Sequence, residues 1–293
     1  EVLGGEVSAQ RLDFALMAQI GQRLPLGERA HQLLAELAPQ GVLTALAGQW
    51  QGALDAPRSY RVKAQLDGLA LAARPAEAEG RLGRPGLSGA SLELDASERG
   101  GLARLRVQDG DVTLPGLFED PRLPITRLST QRSWRLPAPG ADGKPPGEVE
   151  LKLRDLQLQS PDLSGEFDVT WRRAAGATTP GFLDLSGRAQ RVDATRVARY
   201  IPLSLPATRS YVARAVLGGE ARNTTVRIRG ELAEFPFDGP RASGVFRVAT
   251  QAQGVTLAYV PPSDQGTNWP AMEGVDAELV FERCLFLLQP SCG

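Results

Sequence analysis

The 293-residue sequence predicts a mainly β protein: a long, curved antiparallel sheet that forms an apolar groove, with two short helical regions. Three observations predict this fold. Apolar and polar residues alternate with a period of two over most of the chain, a helical period is confined to two segments, and 32 glycines and 22 prolines supply frequent turns. Strands with one apolar and one polar face are typical of antiparallel sheets with one solvated side.

The first 41 residues are predicted to form a helical cap or connector. Leu12, Leu16, Ile20 and Leu24 recur every four positions and make one apolar stripe, so helix is expected over roughly 9–38. A cap packed on the sheet is the favoured interpretation. An amphipathic surface that touches lipid is the alternative, and the scarcity of flanking Lys and Arg disfavours it.

Residues 42–293 are predicted to form the repetitive β region. The alternation places a set of apolar side chains on one face, and these are the candidate groove residues: Leu92, Leu94, Val149, Leu151, Leu153, Val226, Ile228, Leu232, Val255 and Leu257. We expect this face to be concave, with Arg227, Arg229 and Glu231 pointing outward, because successive strand residues point to opposite sides.

Local irregularities in the strands predict bulges. The alternation slips by one residue between Leu153 and Leu156, and a bulge or tight turn at Arg154-Asp155 would restore it. The tripeptide Leu-Ser-Gly occurs at 87–89, 163–165 and 185–187, where glycine permits a bulge or bend. The repetition indicates a sheet built from similar strand–turn units.

A helical insertion is predicted over 193–217. Asp193 is a suitable N-cap, and Val197, Tyr200 and Ile201 lie on one face before Pro202 ends the segment. Gly218-Gly219 marks the end of a second short helix.

The composition disfavours most catalytic chemistry. A formal charge of −1 gives no electrostatic reason to bind nucleic acid, and one His with two Cys is too few for a zinc or Cys/His site. The sequence contains no phosphate-binding glycine loop, no dinucleotide fingerprint and no apolar run long enough to cross a membrane as a helix. We therefore predict no catalytic residue, no metal and no cofactor, although paired glycosidase carboxylates remain an open alternative. Because the chain begins with Glu1, we expect a fragment of a longer protein.

Several phrases in order along the chain resemble the AsmA-like envelope proteins of the YhdP type. They are 114–119, 199–203, 211–219, 229–237 and 272–281, which read LPGLFE, RYIPL, YVARAVLGG, RGELAEFPF and MEGVDAELVF. The similarity spans roughly Leu12 to Phe281, and the last dozen residues depart from it.

The resemblance implies a segment of a bridge-like protein that moves phospholipid across the periplasm of a Gram-negative bacterium. It implies acyl chains as ligands, tethering to the inner membrane through an anchor outside this chain, delivery towards the outer membrane, and no catalytic residues. Two alternatives remain: a non-catalytic structural or assembly module of the envelope, and an enzyme acting on envelope glycans. The shape of the sheet and the presence of a facing carboxylate pair would separate the three hypotheses.

Overall fold

A computed structural model gives the fold of the chain. It describes the following residues: 4–13, 16, 38–53, 56–75, 82–135, 148–174, 177, 179–239, 243–260 and 269–282. None of the helices in these ranges is long and apolar enough to cross a membrane.

Within the described residues, thirteen strands form one antiparallel sheet, and from β3 onward strands consecutive in the chain lie side by side. The short strands β1 and β2 both pair with β3 at one edge, and β13 forms the other edge. The strands are β1 (Gly4–Ala9), β2 (Leu12–Asp13), β3 (Gln40–Ala53), β4 (Ala56–Leu71), β5 (Gly86–Ser97), β6 (Gly100–Thr113), β7 (Arg122–Arg135), β8 (Glu148–Gln159), β9 (Leu163–Ala174), β10 (Phe182–Asp193), β11 (Val216–Glu231), β12 (Val245–Leu257) and β13 (Met272–Glu282). The prediction of a mainly β, antiparallel fold is confirmed.

The helical insertion is confirmed between β10 and β11. It consists of a 3-10 helix, Ala194–Tyr200, and an α-helix, α1 (Pro206–Ala215). Asp193 caps the first of these, because its carboxylate accepts a hydrogen bond from the Thr195 N–H at 2.9 Å. The predicted stop at Gly218-Gly219 is wrong, since both glycines already lie within β11.

The predicted N-terminal helix is wrong over its first residues. Residues 4–9 and 12–13 form strands, and Leu12 pairs with Leu43 instead of starting a helical stripe. Leu16 is helical, and its N–H donates to Asp13 Oδ1 at 3.1 Å, which is N-cap geometry. Ala38 is not helical, and the remainder of 9–38 lies outside the described residues. The division into 1–41 and 42–293 stays a prediction.

Bulges interrupt the strands at two of the positions where the sequence predicted a bulge or bend, whereas the pairing is regular at the tripeptide 185–187 and the register shift beside the tripeptide 163–165 falls on the neighbouring strand. The register shifts between Leu153 and Leu156, and Asp155 has a φ of 50°. Gly89 of the first Leu-Ser-Gly tripeptide has a φ of 66° at a second register shift. Bulges bend a strand and increase its twist. A bulge on many neighbouring strands therefore favours a strongly coiled sheet over a flat one.

The sheet is open and largely a single layer. The chain exposes 18768 Å², whereas a compact monomer of 31.3 kDa exposes about 12,000 Å². One contiguous cluster of buried apolar side chains lies on β3–β7, and its members are Leu43, Ala64, Leu66, Leu69, Ala90, Val107, Ile125 and Leu128.

Candidate functional site

The strand register places the apolar side chains on one face of the sheet, because residues directly opposite each other in antiparallel strands point the same way. A first row of paired residues crosses ten strands, β3 to β12. Its members are Leu46, Ala64, Leu94, Ala103, Arg132, Leu153, Val169, Leu185, Ile228 and Phe246. Arg132 alone among them is charged, and only its backbone position is described.

A second row runs beside the first from β2 to β13. On β2–β7 it comprises Leu12, Leu43, Leu66, Leu92, Leu105 and Thr130, and on β8–β13 it comprises Leu156, Phe167, Gly187, Val226, Val248 and Phe281. Successive members are cross-strand partners except Thr130 and Leu156, between which the β7–β8 register shifts. No charged residue occurs in it. At about 4.8 Å between strands, the row is about 50 Å long from β3 to β13. We call the side that carries both rows the apolar face.

The opposite face is charged, and its ions are paired across the strands. Arg61 and Asp95 approach to 3.0 Å, and the hydrogen bond from Arg61 lowers the pKa of the Asp95 carboxyl. Arg227 and Arg229 both pair with Asp184 on the neighbouring strand. The two faces therefore differ sharply in polarity, as the alternation predicted.

The structure brings the predicted groove residues together with one exception. Leu92, Leu94, Val149, Leu151, Leu153, Val226, Ile228, Val255 and Leu257 occupy register positions on the apolar face, Val149 by its backbone position alone. Leu232 was predicted to continue β11, which is wrong: it begins a 3-10 helix, Leu232–Glu234, just beyond the strand. Arg227, Arg229 and Glu231 lie at positions of the opposite face, as expected.

Aromatic rings pack directly against glycines of the apolar face. A Cβ added to Gly187 would stand 2.2 Å from Cδ1 of Phe167, so the ring covers its cross-strand partner. In the same way, a Cβ added to Gly5 would stand 2.4 Å from Cζ2 of Trp50, its cross-strand partner. The glycine of the tripeptide at 185–187 thus provides space for an aromatic ring and does not form a bulge. In both pairs an aromatic ring occupies the space that a side chain at the glycine would need, so the face stays apolar at these positions.

A polar cluster that the sequence analysis missed holds the helical insertion against the strand ends. Asp162, between β8 and β9, is 4% exposed and accepts hydrogen bonds from Arg199 Nη1 at 2.9 Å and the Tyr200 hydroxyl at 3.0 Å. Arg199 also bonds to Asp120, between β6 and β7. Burial, and then the charge of Asp162, raises the pKa of Tyr200 to about 12.

Two of the phrases that carried the family resemblance meet at this cluster. The Leu203 N–H donates to the Leu117 carbonyl at 2.9 Å, and the rings of Phe118 and Tyr200 pack edge to face at 6.2 Å. The opposite charges of Glu119-Asp120 and Arg199 are compatible with this contact, but the chain's 33 cations and 34 anions offer the same signal at many other pairs. We call this side of the sheet, where β10 ends and β11 begins, the insertion end.

The described residues contain no group of three or more His, Cys, Asp or Glu placed to hold a metal ion.

Comparison with known proteins gives one result. A family model described as YhdP protein matches residues 3–288. Searches of curated proteins and of solved structures found no match.

Proposed function

The chain belongs to the YhdP family of cell-envelope proteins, and we propose that it is a segment of a bridge that carries phospholipid across the periplasm. In this proposal the acyl chains lie on the apolar face, and the full-length protein is tethered to the inner membrane and delivers lipid towards the outer membrane. The segment binds and guides lipid without catalysing a reaction.

The observation that carries the proposal is the second row of the apolar face, which crosses twelve strands without a charged residue. Acyl chains need burial but no directional bonds, so a continuous apolar strip suits them. Each buried CH₂ contributes about 0.8 kcal/mol. Over β8–β13, where every member of the row is half-buried and none is fully buried, the strip can therefore retain lipid tails.

The packing of an aromatic ring against a glycine on the apolar face also supports the proposal. The ring of Phe167 occupies the space that a side chain at Gly187 would need, so a large aromatic side chain adds apolar area where its neighbour has no side chain. A coiled sheet with such a floor would form a groove that leaves the lipid head groups in water.

A structural or assembly module of the envelope is the second candidate. The burial of Leu43, Leu66 and Val107, each 5% exposed or less, favours it, because this part of the apolar face is a closed core. The two functions make different predictions for a charge placed on the face. A site facing an open groove can rehydrate, whereas an unpaired charge in a dry core costs several kcal/mol.

Neighbouring residues of β11 provide a matched test. Val226 belongs to the second row, and Thr225 lies on the polar face with its backbone paired to Arg188. We expect Val226→Asp in the full-length protein to keep its cellular level and melting temperature but to lose phospholipid supply to the outer membrane. Thr225→Asp should retain its cellular level, its melting temperature and the lipid supply, and Leu151→Asp should repeat the Val226→Asp result on β8.

The alternative outcomes are equally specific. Loss of folded protein in Val226→Asp and Leu151→Asp would favour the assembly module, in which the face is a closed core. Stable variants with normal lipid supply would remove this face from the mechanism.

A further inference from the structure

The connection between β11 and β12 folds back over the apolar face. The Phe237 ring lies against both Gly244 and Gly230, because Cβ atoms at these glycines would stand 2.2 Å and 2.7 Å from it. Gly244 precedes Phe246 by two residues, so it shares the apolar face with that residue of the first row. Phe237 is 1% exposed, and the connection therefore packs tightly on the sheet.

Phe235 extends this covering layer over the first row. Its ring meets Phe237 edge to face at 5.6 Å and Phe246 at 5.7 Å. Phe246 is consequently only 9% exposed, although it lies on an otherwise open sheet. We call residues 232–239 the cover.

A backbone hydrogen bond from its first residue fixes the cover at the side of the sheet opposite the insertion end, and a second bond closes a turn within it. The Leu232 N–H donates to the Gly181 carbonyl at 2.9 Å, and the Phe237 N–H donates to the Glu234 carbonyl at 2.6 Å. The adjacent second row, represented by Val226 and Val248, is one pair nearer to the insertion end and remains half-buried.

From this geometry we infer that the cover narrows the lipid path at β11–β12, so that acyl chains pass along Val226 and Val248 but not over Phe246. This inference rests on the proposed function and specifies the route. The phenylalanines occupy the space over the first row that a hydrocarbon chain would need. Phe235 and Phe237 would thus set the width of the path at this point.

Site-specific photo-crosslinking in cells tests the route in the full-length protein. A benzoylphenylalanine replaces either Val248 or Phe246, and phospholipid attached after illumination is measured. We expect phospholipid to be attached at 248. At 246 we expect no more attachment than in the sample kept without illumination. Phe235→Ala removes the ring that lies over Phe246 and should allow attachment at 246. Phe235→Leu retains a bulky side chain at this position and should allow less attachment.

Each outcome decides the inference. Equal attachment at 246 and 248 in the protein with an intact cover would overturn it, as would a Phe235→Ala variant that melts normally and still shows no attachment at 246. If Phe235→Ala fails to fold, Phe235→Leu gives the decision. Some attachment at 246 in that variant supports the inference, and none overturns it. Absence of attachment at both positions, with benzoylphenylalanine at 151 also unlabelled, would instead overturn the proposed function itself.

Discussion

The ring of Phe167 on β9 lies over Gly187, its partner on β10, so closely that no side chain fits beneath it. A Cβ at this glycine would also stand 2.6 Å from the Glu166 carbonyl oxygen. Backbone and ring therefore both exclude larger residues. The pair joins two adjacent strands at the centre of the second row.

Gly187→Ala should lower the free energy of unfolding by about 1–3 kcal/mol, the usual cost of overpacking. Gly218→Ala is the control, since its Cβ would meet nothing nearer than 3.4 Å and its φ is not positive. We expect that change to be neutral or to stabilise by up to about 1 kcal/mol. Urea unfolding measures both, and a similar loss in the control would contradict the explanation. In a Phe167→Leu background the cost of Gly187→Ala should shrink.

The pairing of Arg199 with the buried Asp162 predicts a large effect at the insertion end. Arg199→Met leaves that carboxylate without its cation, and breaking such a buried pair costs about 3–5 kcal/mol. Arg222→Met is the matched control, because Arg222 pairs with Glu220 at an exposed site and should cost less than about 1 kcal/mol. Equal losses of unfolding free energy in the two variants would show that Asp162 does not depend on Arg199.

Acid should weaken the attachment of the helical insertion. Hydrogen bonds from Arg199 and Arg122 lower the pKa of Asp120 and Asp111, respectively, below the value of about 3.9 for an unfolded chain. A carboxyl whose pKa is depressed by folding stabilises the fold above its unfolded pKa, and the contribution is lost as the pH falls through the folded pKa.

We therefore expect unfolding free energy to decline below about pH 4, with hydrogen exchange in α1 accelerating first. Asp120→Asn should be less stable than the parent at pH 7 and should show a shallower decline in acid. An identical acid profile in the parent and the variant would exclude Asp120 as a source of the effect.

The bulge at Asp155 predicts an unusual order of stability among variants with substitutions at this position. With a φ of 50°, the residue is in the left-handed region, which β-branched residues avoid at a cost of about 1–2 kcal/mol. Asp155→Val should thus be destabilised by this amount, while Asp155→Gly should be close to neutral. Gln157→Val, at a regular position of the same strand, should change the free energy by less than about 0.5 kcal/mol. Calorimetric melting of the three variants checks the order.

Local alternation was enough to predict the apolar side of β5, β6, β8, β11 and β12, and the slip between Leu153 and Leu156 located a bulge. The position of Leu232 was missed because a strand and a following 3-10 turn can carry the same short apolar pattern. Leu12 was assigned to a helix because it begins a series of apolar residues spaced four apart. Its structure is decided instead by pairing with Leu43 across the strands.

Contacts between distant segments lay beyond the sequence pattern. The bond from Arg199 to Asp120 joins residues 79 positions apart, and no local propensity indicates it. The cover over Phe246 likewise depends on Gly230 and Gly244 facing the same ring, which becomes visible only once the β11–β12 register is known. Such contacts require the order of the strands, and period-two alternation does not specify that order.

The last prediction concerns ligand-linked stability. A molecule that binds only the folded state raises its unfolding free energy by RT ln(1 + [L]/Kd), about 2.7 kcal/mol at a hundred times Kd. If acyl chains bind the apolar face, a monomeric lysophospholipid should raise the melting temperature of the purified protein by about 2–4 °C for each kcal/mol. Val226→Asp places a hydrated charge on the second row at β11, so the shift should fall or vanish in that variant. Thr225→Asp, one residue away on the polar face, should retain the full shift. A head-group analogue without an acyl chain should cause no shift in any of the three proteins. Equal shifts in both Asp variants would place the lipid elsewhere on the molecule.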